Sequence, residues 1–490
     1  MSDKESKKQI LKSTGILGSA QLIIIAVGIV RVKILAVLLG ASGVGIAGLY
    51  QSTIDLVRSV TGFGISYSAV RDIAASTATN DEKKIATTIL VLRKWVWATG
   101  LLGMAVTIIF SRQLSYMAFG DKTYASGIIT LSVGLLLSSL AAGQSALLQG
   151  FRKIGDMARA NVFGALSGLI GAITIYYFLG LKGIVPALLL TFVLTFLANS
   201  YYSRRLKTIP VQLTPGQIFH KGRSMASLGF FLTLTGLAST STMYLVRSFV
   251  MKEGGLASVG YFVAAWSISS MYISAIFGAM GTDFFPRLSG VQADPVAVTK
   301  LVNDQTEVAL LITAPIIIGM VSFIDLVVRI FYSKDFTQSA GILDWQLTGD
   351  FFKVLCWPIG FIMLAKGKGK LFIATELFWN LLFCAGVYFG WKFFGIQITG
   401  IAFLFAYIIS VFLYFFVANK LVQFNWSRKV WKTILLNLPL LIISLLSVKY
   451  LKSPFSYVVG TIMTLVSFLF SLLHIKSMID VTNILKKFKF

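Results

Sequence analysis

The sequence predicts an all-α polytopic membrane protein with about 14 transmembrane helices. Three observations lead there. Of the 490 residues, 56% are hydrophobic and 13% charged, about half the charged share of an ordinary soluble domain. The apolar residues fall in runs long enough to cross a bilayer, for which ~20 residues suffice, and Gly, Pro and charged residues punctuate them. Alternating polar and apolar segments of about ten residues, which a transmembrane barrel requires, are missing.

The runs divide the chain in order. Spans one to six fall near residues 10–39, 44–70, 88–111, 124–149, 158–179 and 183–203 and make an N-lobe of residues 1–205. Residues 206–223, polar and containing Pro210 and Pro215, read as a cytoplasmic linker. Spans seven to twelve fall near 224–250, 257–286, 301–332, 340–365, 371–394 and 397–419 and make a C-lobe of residues 224–422. Asp283, Pro286 and Arg287 are expected to end span eight, because proline limits a helix. Two additional spans near 431–450 and 455–475, with a cytoplasmic tail, occupy 423–490. Val44-Gly45 and Val259-Gly260 each follow a small-residue run and precede an aromatic. The two six-helix lobes are therefore expected to be parallel repeats, related by a pseudo-two-fold axis along the membrane normal.

Orientation follows from the basic residues. Arg71, Lys83 and Lys84, then Arg152, Lys153 and Arg159, then Arg204, Arg205, Lys207, Lys221 and Arg223 crowd alternate loops, as do Lys366, Lys368, Lys370 and Arg428, Lys429, Lys432. The intervening loops hold one or two each, such as Arg112 and Lys122, Lys182, or Lys392. The positive-inside bias puts the dense loops and both termini in the cytoplasm of an inner-membrane protein. The net charge of +25 thus belongs to loops rather than to one continuous basic face, and nucleic acid is not an expected partner. The N-terminus reads as an uncleaved first span.

Six charges stand inside or at the edge of apolar runs: Arg31, Lys33, Asp55, Arg58, Asp350 and Lys353. Such a group near a bilayer centre costs roughly 2.5–3.5 kcal/mol even on lenient insertion scales, so it is expected to face protein or a watery cavity. Asp55 and Arg58, like Asp350 and Lys353, are three residues apart and share a helix face. They read either as structural ion pairs or as the wall of a cationic cavity. Arg31 and Lys33 point roughly 200° apart, so only one faces a narrow cavity, and either one, like Arg247 at the end of span seven, can snorkel. Asp55, Asp350, Glu376 and Asp325 are the candidates to exchange a coupling ion, H⁺ or Na⁺. Trp266, Tyr272, Trp345 and Trp357 lie deep enough to stack on sugar rings or to serve as packing. Most other Trp and Tyr residues sit at span ends as interfacial anchors.

Enzyme chemistry finds no support. Lys366-Gly-Lys-Gly-Lys370 lacks the spacing of a phosphate-binding loop. His220, read as a loop residue, and His474 have no evident nucleophile, and no loop offers an acid/base pair. Cys356 and Cys384 lie in apolar runs, which argues against a disulfide framework or a zinc site. No cofactor or metal is expected. Without an ATPase domain, active transport needs an ion or substrate gradient.

The stretches KILAVLLGASGVGIAGLYQS, LLQGFRKIGDMARANVFGALSGLIG and DWQLTGDFFKVLCWPIGFIMLAKGKGKLFIATELF resemble the Wzx-type flippases of the multidrug/oligosaccharidyl-lipid/polysaccharide superfamily. The resemblance covers roughly residues 10–420, and its span-ten block is the most specific. It implies a transporter of undecaprenyl-diphosphate-linked oligosaccharides, such as enterobacterial common antigen or O-antigen units. Lys33, Arg247, the Asp350/Lys353 pair and Glu376 match charged positions of the family, whereas Arg58 has no match there. The substrate-facing set is thus Lys33, Arg58, Arg247, Lys353 and Arg31. Membrane lipids and polysaccharide polymerase or assembly proteins are candidate partners, and a monomer is the simplest expectation. The competing readings are a cation-coupled small-molecule exporter of the multidrug branch, which calls for an acidic cavity, and a membrane-embedded polymerase or ligase, which calls for a large outer loop.

Overall fold

The computed structural model describes residues 3–79, 81–206 and 208–478; Lys207 and the expected tail beyond 478 lie outside the described residues. In order, the helices are α1 (Asp3–Thr61), α2 (Ile65–Ala78), α3 (Glu82–Ile109), α4 (Ser111–Phe119), α5 (Ala125–Gly150), α6 (Ile154–Leu179), α7 (Ile184–Ser203) and α8 (Pro215–Gly290). They continue as α9 (Pro295–Ser322), α10 (Ile324–Phe331), α11 (Thr337–Ala365), α12 (Gly369–Phe394), α13 (Ile398–Val422), α14 (Arg428–Tyr450) and α15 (Phe455–Met478). No strand occurs among the described residues. Among the described residues, ten helical stretches are long and apolar enough to cross a membrane. Four of them, of 43, 50, 46 and 54 residues, are long enough for two crossings at ~20 residues each. With six single and four double stretches, the described residues hold enough apolar helix for about fourteen passages.

Local chemistry sets the helix starts. Asp81 accepts from Lys84 N at 3.0 Å, and Asp294 accepts from Val296 N at 2.9 Å with Pro295 at the first turn. Before α8, Thr214 N donates to Gln217 Oε1 at 3.1 Å while Gln217 N donates to Thr214 Oγ1 at 3.4 Å, a reciprocal capping box with proline at the first helical position. That cap starts the helix inside the stretch read as linker, so His220 is helical rather than in a loop.

Two glycines break the double stretches that begin each half. Gly40 has φ 63° and ψ −169°, and Gly255 has φ 75° and ψ −178°, a region that only glycine enters freely. They stand 215 residues apart (255 less 40). The same spacing relates Gly180 (φ 57°, ψ −136°) to Gly395 (φ 53°, ψ −139°), which close α6 and α12. It also relates the left-handed Arg152 to Gly367, each followed by a lysine whose N–H bonds back five residues at 2.8 Å. Gly45 and Gly260 follow their breaks by five residues and pack reciprocally: a Cβ on Gly45 would strike the Leu256 carbonyl, and one on Gly260 the Ala41 carbonyl. Replacing Gly40 or Gly255 by alanine is expected to cost about 1–3 kcal/mol each, seen as a lower thermal midpoint in detergent. A wild-type midpoint for both variants would show that the breaks do not depend on glycine.

Two expectations about span ends are corrected. Span two is not continuous through residue 70: the chain turns at Phe63 (φ 47°) and Gly64 (φ 58°) before α2 resumes. A Cβ on Gly229 of α8 would meet the Gly64 backbone, so this turn admits the close approach of α8. Pro286 does not end span eight, because α8 continues to Gly290. An internal proline costs ~3 kcal/mol, and burial of Phe284 and Leu288 in a core with Val302, Ile359 and Met363 offsets it, at roughly 1.5–3 kcal/mol for each fully buried large side chain.

The chain forms two compact units, Met1–Gly260 and Tyr261–Phe490. In the first, Ile65, Ile73, Ile89, Leu92, Val96, Leu140, Leu147 and Met225 share one core. There α8 is held along its length by polar contacts. Ser68 Oγ donates to Met225 O at 2.8 Å, Trp95 Nε1 to Ile218 O at 3.0 Å, and Tyr244 Oη to Leu114 O at 3.4 Å. In the second unit, α14 and α15 both pack on α9. Ser322 Oγ donates to Gly460 O at 3.3 Å, and Ser467 Oγ donates to Asn437 Oδ1 at 2.6 Å.

Candidate functional site

In the first unit the polar groups of span two form a stripe. Gly48, Gln51, Asp55 and Arg58 fall within an arc of about 80° at 100° per residue. Gln51 Nε2 donates to Asp55 Oδ1 at 3.0 Å. Arg247, half-buried on α8, donates from Nη1 to the Gly48 carbonyl at 3.2 Å. Asp55 is within electrostatic reach of both Arg58 and Arg247. It forms no direct ion pair with Arg58 among the described residues, and the Arg58 side chain is exposed. Among the described residues, two cations thus lie within reach of the Asp55 carboxylate, and this stripe of span two carries more positive than negative charge. Arg31 and Lys33, on the preceding segment of α1, are both half-buried.

In the second unit Asp350 occupies the middle of α11, thirteen residues after Thr337 and fifteen before Ala365. It is 0% exposed. Its Oδ2 accepts from Ser269 Oγ at 2.7 Å and from Tyr272 Oη at 2.7 Å, while Oδ1 has no hydrogen-bond partner. Lys353 forms no ion pair with Asp350 among the described residues. Its Nζ lies 5.8 Å from the ring centroids of both Phe403 and Tyr407, within cation–π range. Tyr407 neighbours Asp350, Cys356, Glu376 and Tyr414. Glu376 Oε1 accepts from Tyr414 Oη at 2.7 Å. The expected Asp350, Lys353 and Glu376 therefore belong to one polar network across α8, α11, α12 and α13. A buried carboxylate with one unpartnered oxygen can take up a proton or contribute one ligand to a cation. No group of three or more His, Cys, Asp or Glu suited to hold a metal occurs among the described residues.

Asp325 is not shown in this network. It lies on α10 and neighbours Asp344, a 6% exposed carboxylate that the sequence reading passed over. Lys449 is near Asp344 and sits 3.4 Å from the Trp345 ring centroid. The deep aromatics are engaged in packing. Trp266 stacks on Phe383 at 6.1 Å, Trp357 on Phe277 at 4.6 Å, and Tyr272 is bonded to Asp350. Ser269, Tyr407 and Tyr414 were also missed. Tyr407 and Tyr414 are seven residues apart on α13, two helical turns on one face, the one sequence signal that marks them.

Comparison with known proteins gives three kinds of match. A family model described as "Polysaccharide biosynthesis protein" matches residues 34–341. The chain is 23% identical over 362 residues to the lipid III flippase of Escherichia coli (strain K12), covering 73% of this chain and 86% of that protein. It is 22% identical over 441 residues to the lipopolysaccharide biosynthesis protein WzxC of the same strain, covering 87% and 85%. The solved structure of the lipid II flippase MurJ in an inward closed conformation superposes with a TM-score of 0.69 at 16% identity, covering 94% of this chain and 98% of that one. That last likeness is one of fold.

Proposed function

Because the chain belongs to the polysaccharide biosynthesis protein family, we propose that it is a flippase moving an undecaprenyl-diphosphate-linked oligosaccharide from the inner to the outer leaflet of the cytoplasmic membrane. The observation that carries this reading is the cation-rich stripe on span two, where Arg58 and Arg247 both lie within electrostatic reach of Asp55. The diphosphate of such a substrate bears about two negative charges, and a lipid-linked glycan adds many hydroxyls; neither crosses hydrocarbon unaided. Fixed cations replace water at the diphosphate, and the isoprenoid tail remains in lipid. Lys33, Arg31 and Lys353 extend the same chemistry. The names of the lipid III flippase and of the lipopolysaccharide biosynthesis protein agree with a lipid-linked glycan as cargo.

In this reading residues 1–205 and 224–422 are two lobes that rock in alternating access, and both termini lie in the cytoplasm. The constant 215-residue register of the backbone breaks supports the duplication. Asp55, Asp350, Glu376 or Asp325 exchanges the coupling ion, H⁺ or Na⁺. The test is reconstitution of the purified chain with lipid-linked oligosaccharide in vesicles, read by a membrane-impermeant glycan probe under imposed proton and sodium gradients. Protein-dependent movement of glycan between leaflets is expected. Glycan that stays on its original leaflet under every gradient rejects the reading, and gradient-driven efflux of cationic drugs instead would favour an exporter.

A further inference from the structure

A second cationic feature lies away from the span-two stripe. In the first unit, α3, α5 and α7 line an open cavity of 260 Å³, where about 10–15 Å³ suffices for one water. Its polar lining gathers at one end. Arg93 stands eleven residues into α3, Gln144 six residues before the end of α5, and Arg204 caps the end of α7. These positions share the end of the bundle that carries the dense basic loops. The remaining lining is largely apolar, including Val96, Leu140, Leu147 and Phe196. Trp97, at its rim, is 49% exposed, and Leu101 and Leu197, on the same helices, are 49% and 53% exposed. The cavity therefore adjoins exposed apolar helix surface of the kind that meets lipid chains.

Gln144 adds a more specific demand. Its Nε2 donates to Ser200 Oγ at 2.7 Å, while its Oε1 is buried without a partner. A buried, unbonded amide oxygen costs free energy that an incoming donor recovers. Two guanidiniums select a phosphate, and their planar forks suit its oxygens better than a lysine would. Among the described residues, no carboxylate lines the cavity to balance them.

We propose that this cavity binds an anionic glycerophospholipid whose headgroup keeps a free hydroxyl, of the phosphatidylglycerol class. The phosphate lies between Arg93 and Arg204, the headgroup hydroxyl donates to Gln144 Oε1, and the acyl chains run along Leu101 and Leu197. The C-terminal end of α7 already favours a cation at Arg204, but Arg93 stands inside its helix where no such end effect applies.

The experiment uses the purified full-length chain in mixed micelles holding equal amounts of phosphatidylglycerol, phosphatidic acid and phosphatidylethanolamine, with retained lipid counted by native mass spectrometry. Wild-type protein is expected to retain phosphatidylglycerol. Arg93→Ala with Arg204→Ala lowers that retention about tenfold or more, the loss of one or two charge-assisted hydrogen bonds. Gln144→Leu lowers retention of phosphatidylglycerol but not of phosphatidic acid, which has no headgroup hydroxyl. Arg93→Lys with Arg204→Lys retains more than the alanine pair, and unchanged thermal midpoints show that each variant is folded. Equal retention by wild type and the alanine pair overturns the proposal, as does retention of phosphatidylethanolamine at the same level. Displacement by inorganic phosphate would make the cavity a simple anion site, and displacement by an isoprenoid diphosphate would make it a substrate station; both outcomes overturn the lipid assignment.

Discussion

Arg58→Ala is expected to slow transport by about tenfold to a hundredfold while leaving the thermal midpoint where it is. One guanidinium–phosphate contact is worth about 1.5–3 kcal/mol, and about 1.4 kcal/mol is a factor of ten in rate. Arg58 is exposed and has no ion pair among the described residues, and truncations at such positions usually change stability by less than about 0.5 kcal/mol. Arg58→Lys keeps the charge but loses the planar fork, so its transport should fall between wild type and alanine. Arg247→Ala is expected to behave differently: it also removes the bond to the Gly48 carbonyl, and midpoint and transport fall together. Vesicle transport and detergent melting curves on the same preparations separate these cases. Parallel loss of both readouts in Arg58→Ala would assign that residue to structure rather than to substrate.

The membrane-spanning character of the chain was legible because hydropathy over ~20 residues reports burial in lipid directly. The breaks at Gly40 and Gly255 were legible too, since runs of Gly, Ala and Ser before Val44-Gly45 and Val259-Gly260 mark where a helix can be interrupted. The turn at Phe63 and Gly64 was not, because apolar residues continue through it and the close approach of Gly229 is a tertiary fact. The charges carry a different lesson. Asp55/Arg58 and Asp350/Lys353 look alike in spacing, yet they are not equivalent in the 215-residue register. Asp55 and Arg58 fall on Ser270 and Ile273, and Asp350 and Lys353 fall on Leu135 and Ser138. The backbone breaks recur while the intramembrane charges do not, as befits a pathway that must bind an asymmetric substrate. Within the site, the i,i+3 spacing suggested mutual neutralisation, but Asp55 bonds to Gln51 and Asp350 to Ser269 and Tyr272. Neutral partners from a neighbouring turn or helix are invisible to a pattern that looks only for opposite charge.

Asp350 offers the strongest separation of stability from coupling. In Asp350→Ala, Ser269 Oγ and Tyr272 Oη lose the acceptor they now share at 2.7 Å. A buried donor left unbonded costs about 1–3 kcal/mol, so the two together lower stability by about 2–6 kcal/mol and should reduce folded yield. Asp350→Asn keeps an oxygen acceptor for both hydroxyls, and the cost that remains is its amide, buried where Oδ1 has no partner, at about 1–3 kcal/mol, so it is expected to be destabilised less than the alanine variant and to stay folded. Asparagine nevertheless fixes the side chain in a neutral state, as if the carboxyl were permanently protonated. If Asp350 exchanges the coupling ion, Asp350→Asn loses gradient-driven accumulation of glycan on one leaflet but still equilibrates glycan between leaflets when no gradient is applied. Lys353 is near enough to interact with Asp350 electrostatically and is seated against Phe403 and Tyr407; in the proposed function it is a substrate-facing cation of the second unit. Lys353→Met should therefore weaken substrate binding while leaving the direction of gradient coupling unchanged. Accumulation against the gradient by a folded Asp350→Asn protein would confine Asp350 to a structural role and move the coupling site to another carboxylate, with Glu376, bonded to Tyr414 in the same network, the next to test.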